Sequence, residues 1–173
     1  MSRPLRWVIG DLAPGDRAGL DAISRHLAHA GWSVTMDAAT GPTPPPPVAL
    51  LVWTRSTLGD EGAASVATAR ADGIPLLLVG PTLTAGVPDL REASGVSPDA
   101  WSPAHQSRLR AADDDAWRSR VSPLGAPLAL HTAVLAIDKT RDSVQVWMTA
   151  QLGLTEHPVL TWNAEPRVGA CTV

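Results

Sequence analysis

Few residues in this chain combine a reactive group with a position where chemistry could gather. Asp11 follows an apolar run and Arg55 follows another, so a carboxylate and a guanidinium are placed at the ends of two candidate strands. Thr82 and Thr84 lie in Gly80–Gly86 (GPTLTAG), directly after the apolar run Ile74–Val79, and offer two hydroxyls. His105, His131 and His157 are the later imidazoles that could converge through the fold, though His157, held extended before Pro158, better suits a structural or rim position. An acid, a cation, hydroxyls and imidazoles of this kind suit a polar cleft for a small molecule. Asp11 and Asp16 also have a plainer role, Asp11 capping a turn and Asp16 capping a helix.

Other residues invite chemistry and lead elsewhere. Cys171 stands alone between Ala170 and Thr172, without a neighbouring His or Lys to lower its pKa, and reads as a small buried hydrophobe. His26 and His29 share a helix face, but no third ligand is placed beside them, so a surface helix is the better reading. Asp113–Asp115 are consecutive and lack the alternating ligand spacing of a calcium loop; they read as a solvated surface. No metal and no cofactor are expected.

The elements that would position the cleft follow from the pattern of apolar residues. Ile74–Val79 is a short apolar run ended by Gly80-Pro81, the signature of a strand buried on both faces. Arg6–Gly10, Trp32–Met36 and Val48–Trp53 read as three further strands. Arg17–Ala30 has Leu20, Ile23, Leu27 and Ala30 at spacings of three and four and reads as an amphipathic helix, with Asp16 as its N-cap and Gly31 after its end. Glu61–Ala71 is a small-residue helix, ended by Gly73, that can lie close to a sheet. The first 80 residues therefore alternate β-α-β-loop-β-α-β, which implies parallel strands joined by right-handed crossovers. Ligands gather at the carboxyl ends of such strands, where Asp11, Arg55 and Gly80–Gly86 would lie.

The rest is less regular. Ala38–Pro47, with four consecutive prolines, reads as a stiff spacer. Val87–Gly95 reads as a short helix or turn, and Ser97–Arg120 as a polar stretch. Ala129–Ile137, Val144–Met148, Val159–Trp162 and Arg167–Val173 read as strands without intervening helices. The expected fold class is α/β: a flavodoxin-like, three-layer open sheet, mostly parallel, with a β-rich C-terminal extension. A single domain over residues 1–173 is expected, cut short at Val173, where a domain of this type would continue into a closing helix.

Composition bounds the function. Of 173 residues, 45% are hydrophobic and 18% charged, with a formal net charge of −3, so there is no basic field to attract nucleic acid. No apolar run approaches the roughly 20 residues of a membrane span. One cysteine fits a reducing compartment, and the cytoplasm is the expected location. The bulky core residues must be Trp, since the chain has seven Trp and no Phe or Tyr.

The segment VALLVWTRSTLGDEGAASVATARADGIPLLLVGPTL resembles the central part of class I glutamine-amidotransferase-like domains. The tail HPVLTWNAEPRVGACTV resembles the closing segment of the trehalose-utilisation-protein-like (ThuA-like) and β-galactosidase-trimerisation-like branches, with Pro158, Val159, Thr161, Arg167 and Val168 in the matching places. In that family a Cys stands on a sharp turn after the buried strand, and a His-x-Glu pair lies near the end. Here the turn reads GPTLTAG, and Glu156 and His157 are adjacent, so on a regular strand they face opposite sides. The nucleophile is absent, which argues against the cysteine-based reaction.

What the resemblance then implies is a non-catalytic binding or assembly module associated with carbohydrate metabolism. It would be a homo-oligomer or an attachment to an enzyme domain, with room for a small-molecule ligand. Two rivals stand beside it. One is a sugar-type hydrolase or isomerase without a Cys nucleophile, using Asp11, Arg55, His131 and His157. The other is a signalling domain, since LDAISRHLAHAGWSVTMD and LLVWTRS also resemble the Toll/interleukin-receptor fold. The NAD-cleaving glutamate of that fold has no counterpart here: Ser65 and Val66 occupy its place, and Glu61 lies about one turn too early.

Overall fold

The computed structural model describes residues 3–36, 46–102, 107–111, 128–130, 134–152 and 154–172. They fall into two compact units, Met1–Val87 and Pro88–Val173.

The first unit is the expected parallel α/β arrangement. Its elements are β1 (Arg3–Ile9), α1 (Asp16–His29), β2 (Trp32–Thr35), β3 (Ala49–Trp53), α2 (Gly59–Ala71) and β4 (Leu76–Val79). The strands lie in the order β2-β1-β3-β4. All three pairings are parallel, with Leu5 opposite Val34, Trp7 opposite Leu51 and Val52 opposite Leu78. Parallel strands buried on both faces need apolar residues at successive positions, which is why Leu50, Leu51, Val52, Leu76 and Leu78 are all buried.

Each sheet face has its own helix, so the unit has three layers. Leu20 of α1 is 1% exposed and packs with Leu5, Trp7, Leu51 and Val79. The Trp7 indole N–H donates to Ser24 Oγ at 3.0 Å, which fixes the rotation of α1 over the sheet. α2 covers the opposite face. A Cβ at Gly62 would lie 3.3 Å from Val8 Cγ1, so the small residues of this helix allow the close approach expected of them.

Helix α1 starts differently from expectation. Gly15 occupies the cap position with φ 94° and ψ −22°, and Asp16 is the first helical residue. The Asp16 carboxylate accepts from the Ala13 N–H at 2.7 Å, so it closes the preceding loop instead of capping the helix. Both of its oxygens also take part in a longer-range role described below.

In the second unit, α3 (Pro88–Ser94) leads into β5 (Val96–Ser102), and β6 (Ser107–Ala111), β7 (Leu128–Leu130), β8 (Val134–Lys139), β9 (Val144–Leu152), β10 (Thr155–Asn163) and β11 (Val168–Cys171) follow. Every strand pairing within this unit is antiparallel. The strands β11-β10-β9-β6-β7 are successive neighbours, and β5 pairs with β8. Leu135, Ile137, Val159 and Val168 are fully buried. Asn163 is buried with them: its Nδ2 donates to the Ala93 carbonyl at 2.9 Å and its Oδ1 accepts from Ser143 Oγ at 3.3 Å. On the β9–β10 ladder Trp147 and Trp162 stack with ring centroids 5.7 Å apart.

Two expectations need correction here. The stretch Ser97–Arg120 contains strand, since it takes in most of β5 and all of β6. The run Ala129–Ile137 is two strands, β7 and β8, which pair with β6 and β5 respectively. Residues 37–45, which hold most of the proline-rich spacer, and Asp113–Asp115 lie outside the described residues.

Candidate functional site

Three loops leave the carboxyl ends of β1, β3 and β4: Gly10–Gly15, Thr54–Leu58 and Gly80–Gly86. The last begins with a 3-10 turn over Gly80–Thr84. Hydrogen bonds sew the three together. The Gly10 N–H donates to the Trp53 carbonyl at 2.9 Å, and the Gly86 N–H donates to the Ser56 carbonyl at 2.6 Å.

Asp11 is the central knot. Its Oδ1 accepts from the Ser56 N–H at 2.8 Å and the Arg55 N–H at 3.1 Å, and Ser56 Oγ donates to its Oδ2 at 2.9 Å. The Thr54 hydroxyl lies 2.7 Å from Asp11 Oδ1 and 2.6 Å from the Thr57 carbonyl, and divides its one proton between them. The Thr54 hydroxyl first, and the Ser56 N–H second, hold the Asp11 carboxyl far below the usual carboxylate range. A carboxylate with so little affinity for protons is a poor general base near neutrality. Asp11 orders the loop after β3.

Arg55 is held by Asp16. Its Nε donates to Asp16 Oδ2 at 2.7 Å and its Nη2 to Asp16 Oδ1 at 2.8 Å, a bidentate pair that fixes the guanidinium plane. The Arg55 side chain remains 48% exposed while that of Asp16 is 9% exposed, so the cation presents its free edge to solvent. The Arg55 guanidinium, ahead of the Ala13 N–H, lowers the Asp16 pKa.

Thr82 and Thr84 differ sharply. Thr82 is fully buried. Its hydroxyl accepts from the Thr54 N–H at 3.1 Å and lies 2.8 and 3.0 Å from the Val79 and Val52 carbonyls, to either of which it can donate. Thr84 is exposed, and its hydroxyl donates to the Pro81 carbonyl at 2.9 Å. Both hydroxyls bond to backbone, and no acid–base pair touches either among the described residues. Removing the Thr82 hydroxyl while keeping its shape would orphan the buried Thr54 N–H. Thr82→Val should therefore cost about 1–3 kcal/mol in urea denaturation, and Thr82→Ser much less.

Four of the residues singled out from the sequence thus meet at one sheet edge: Asp11, Arg55, Thr82 and Thr84. His157 is half-buried on β10 in the second unit, without a side-chain hydrogen bond or ion pair among the described residues. His105 and His131 lie outside the described residues. His26 and His29 are exposed on α1, and Cys171 is partly buried on β11. Among the described residues no group of three or more His, Cys, Asp or Glu side chains could hold a metal ion. No described helix is long and apolar enough to cross a membrane.

Sequence reasoning missed the residues that make this cluster a unit. Thr54 and Ser56 bracket Arg55 and supply the hydroxyls for Asp11. A Thr-x-Ser directly after a buried strand was the available signal, because such hydroxyls satisfy loop backbone and carboxylates. Gly80 was also underrated. Its φ is 58°, and a Cβ there would sit 2.6 Å from Trp53 Cζ3.

The pH dependence follows from Asp11. Its folded pKa is depressed, so its stabilising effect is fully present above the unfolded value and is lost as pH falls through the folded one. Comparing wild type with Asp11→Asn by urea unfolding should give a gap that is widest near neutrality. That gap should begin to narrow as pH drops below about 4 and go on narrowing through more acid pH. A gap independent of pH would show that the carboxylate charge contributes nothing.

No family model matches the sequence, and no curated protein matches it. Solved structures do. A ThuA-like protein from Parabacteroides merdae superposes over 99% of this chain and 79% of its own, with a TM-score of 0.72 at 9% identity. The chain has the ThuA-like, amidotransferase-like fold. A glutamine amidotransferase from Thermotoga maritima shares this fold more distantly, with a TM-score of 0.54 at 10% identity over 99% of this chain and 75% of its own. The cold-adapted β-galactosidase of Rahnella sp. R3 contains it within a longer chain: the TM-score is 0.71 at 10% identity, over 99% of this chain and 28% of the enzyme. The ThuA-like fold accounts for the α/β architecture of the first unit and for the β-rich C-terminal part.

Proposed function

We propose that this chain is a non-catalytic amidotransferase-like module that binds a ligand or assembles with other chains in carbohydrate metabolism. The observation that carries this reading is the state of the carboxyl-edge loops. In the place where an amidotransferase-like domain would present a nucleophile and its base, Thr82 is sealed in the core and Asp11 is fully engaged in holding a neighbouring loop. Rigid loops with a solvent-facing Arg55 suit recognition better than proton transfer.

The carbohydrate link rests on similarity of fold. The solved neighbours include ThuA-like proteins and β-galactosidases in which this fold is about a quarter of the chain. By that reading residues 1–173 are one domain, cytoplasmic, working as a homo-oligomer or beside an enzyme domain. Asp11, Arg55 and Thr84, the exposed members of the first-unit cluster, are its proposed ligand-facing residues.

The test combines solution mass with turnover. Light scattering should give a mass above that of one chain, and nitrophenyl glycosides should be hydrolysed no faster than in buffer. A strict monomer with no affinity for sugars or glycosidases would sink the proposal. Turnover abolished by Arg55→Ala or Asp11→Asn would replace it with the hydrolase reading.

A further inference from the structure

We infer that a crevice on the α2 face of the first unit is a binding site for a neutral, polyhydroxylated molecule of one or two sugar rings. This deepens the carbohydrate reading above and rests on it, but it names a place that none of Asp11, Arg55, Thr82 or Thr84 lines.

The crevice has a volume of about 450 Å³, within the range of small-molecule sites. Its position follows from topology. The strand order is β2-β1-β3-β4, so the chain leaves β1 for one side and later crosses to the other. The carboxyl end of β1 is therefore a switch point, where open α/β sheets bind their ligands. The crevice is built there, from the later residues of β1, Met36 just beyond β2, and the first turns of α2.

Its apolar floor is Val8 of β1 and Leu58 at the start of α2, which meet beside Gly62. Its rim carries Arg6 from β1 and Asp60, Glu61 and Ser65 from α2. Among the described residues, none of these four side chains has a hydrogen-bond or ion-pair partner. Two carboxylates accept hydrogen bonds, a guanidinium donates them, and a serine does both. A sugar hydroxyl is donor and acceptor at once, so it can use every one of these groups, while the C–H face of the ring lies on the apolar floor. An anion would meet Asp60 and Glu61, and a divalent cation lacks a three-ligand cluster among the described residues. The acids also have a local role, since negative charge in the first turn of α2 suits the helix dipole. That role does not explain the cavity, nor an Arg6 and a Ser65 that have no partner among the described residues.

The experiment is a titration of the full chain with D-galactose and with lactose, followed by amide chemical shifts. Saturable shifts should appear at Val8, Gly59 and Gly62, with affinity on the order of millimolar. The double variant Asp60→Asn/Glu61→Gln should weaken binding about tenfold, as loss of charge-assisted hydrogen bonds does, while thermal unfolding shifts down only slightly, by the lost helix-dipole interaction. Ser65→Ala, which suits a helix, provides a second variant and should weaken binding as well. Full affinity in both variants would overturn the assignment. Shifts confined to Gly10–Asp16 and Arg55–Thr57 would also overturn it, while leaving the carbohydrate reading in place. No shift anywhere with either sugar would overturn the crevice, and the assembly role would then stand or fall on the solution mass.

Discussion

Gly10→Ala should be among the most damaging single substitutions in the first unit, with a loss of about 3 kcal/mol in urea or thermal unfolding. A methyl group is small, but at Gly10 it has nowhere to go. A Cβ there would overlap the Thr57 carbonyl oxygen and the Thr54 hydroxyl, and would lie 2.8 Å from Thr54 Cβ. Two of these three atoms belong to the knot around Asp11, so the backbone cannot yield without releasing Thr54 from Asp11 and Thr57 together. The Gly10 N–H bond to the Trp53 carbonyl would be strained in the same movement. A useful control is Gly19→Ala. Gly19 lies inside α1 with open space around its Cα, so an added methyl should stabilise by about 0.5–1 kcal/mol through helix propensity alone. Equal effects at the two glycines would mean that the loop knot is not the rigid element described here.

Leu78→Ala is the second large effect, expected to cost about 3–4 kcal/mol, in the upper part of the range for buried leucines. Leu78 is fully buried at the middle of β4, opposite Val52 of β3, with α2 closing that face. The parallel pairing with β3 pins the strand, so the site can collapse only in part and most of the cavity would persist. Leu77, one residue earlier, points to the α1 face and is only partly buried. Leu77→Ala should cost distinctly less, and the comparison by chemical denaturation reads the two faces of one strand. Similar losses would show that both faces pack alike.

The run Ile74–Val79 announced β4 because a parallel strand is apolar at successive positions, a pattern with few alternatives once Gly80-Pro81 ends it. The same logic made β1, β2 and β3 legible to within a few residues, and Leu20, Leu27 and their neighbours did so for α1. The antiparallel part was harder. Ser107–Ala111 reads SRLRA, one apolar residue between two arginines, and so short a run carries too few positions for a period-of-two pattern to show. Ala129–Ile137 looked continuous because periodicity reports burial and not pairing, so a chain that leaves one strand partner for another shows no break.

At the site, position was legible and role was not. Asp11 and Arg55 were placed correctly at strand ends, since topology alone sends those loops to one edge. That Asp11 binds the backbone of Arg55 and Ser56, and that Asp16 takes the guanidinium, depends on loop conformations with no periodic signature. The cap assignment failed for a related reason. Gly15 and Asp16 are both common at helix starts, and the choice between them was made by the distant Arg55, not by local preference.

The stacked indoles of Trp147 and Trp162 have a spectroscopic consequence. With no Tyr or Phe in the chain, all of its side-chain aromatic absorption comes from Trp. Two indoles 5.7 Å apart on neighbouring strands are close enough for their excited states to couple. That coupling gives a paired positive and negative band in circular dichroism, which vanishes when β9 and β10 separate. The second unit therefore carries its own optical reporter, one that can be followed during unfolding without any label.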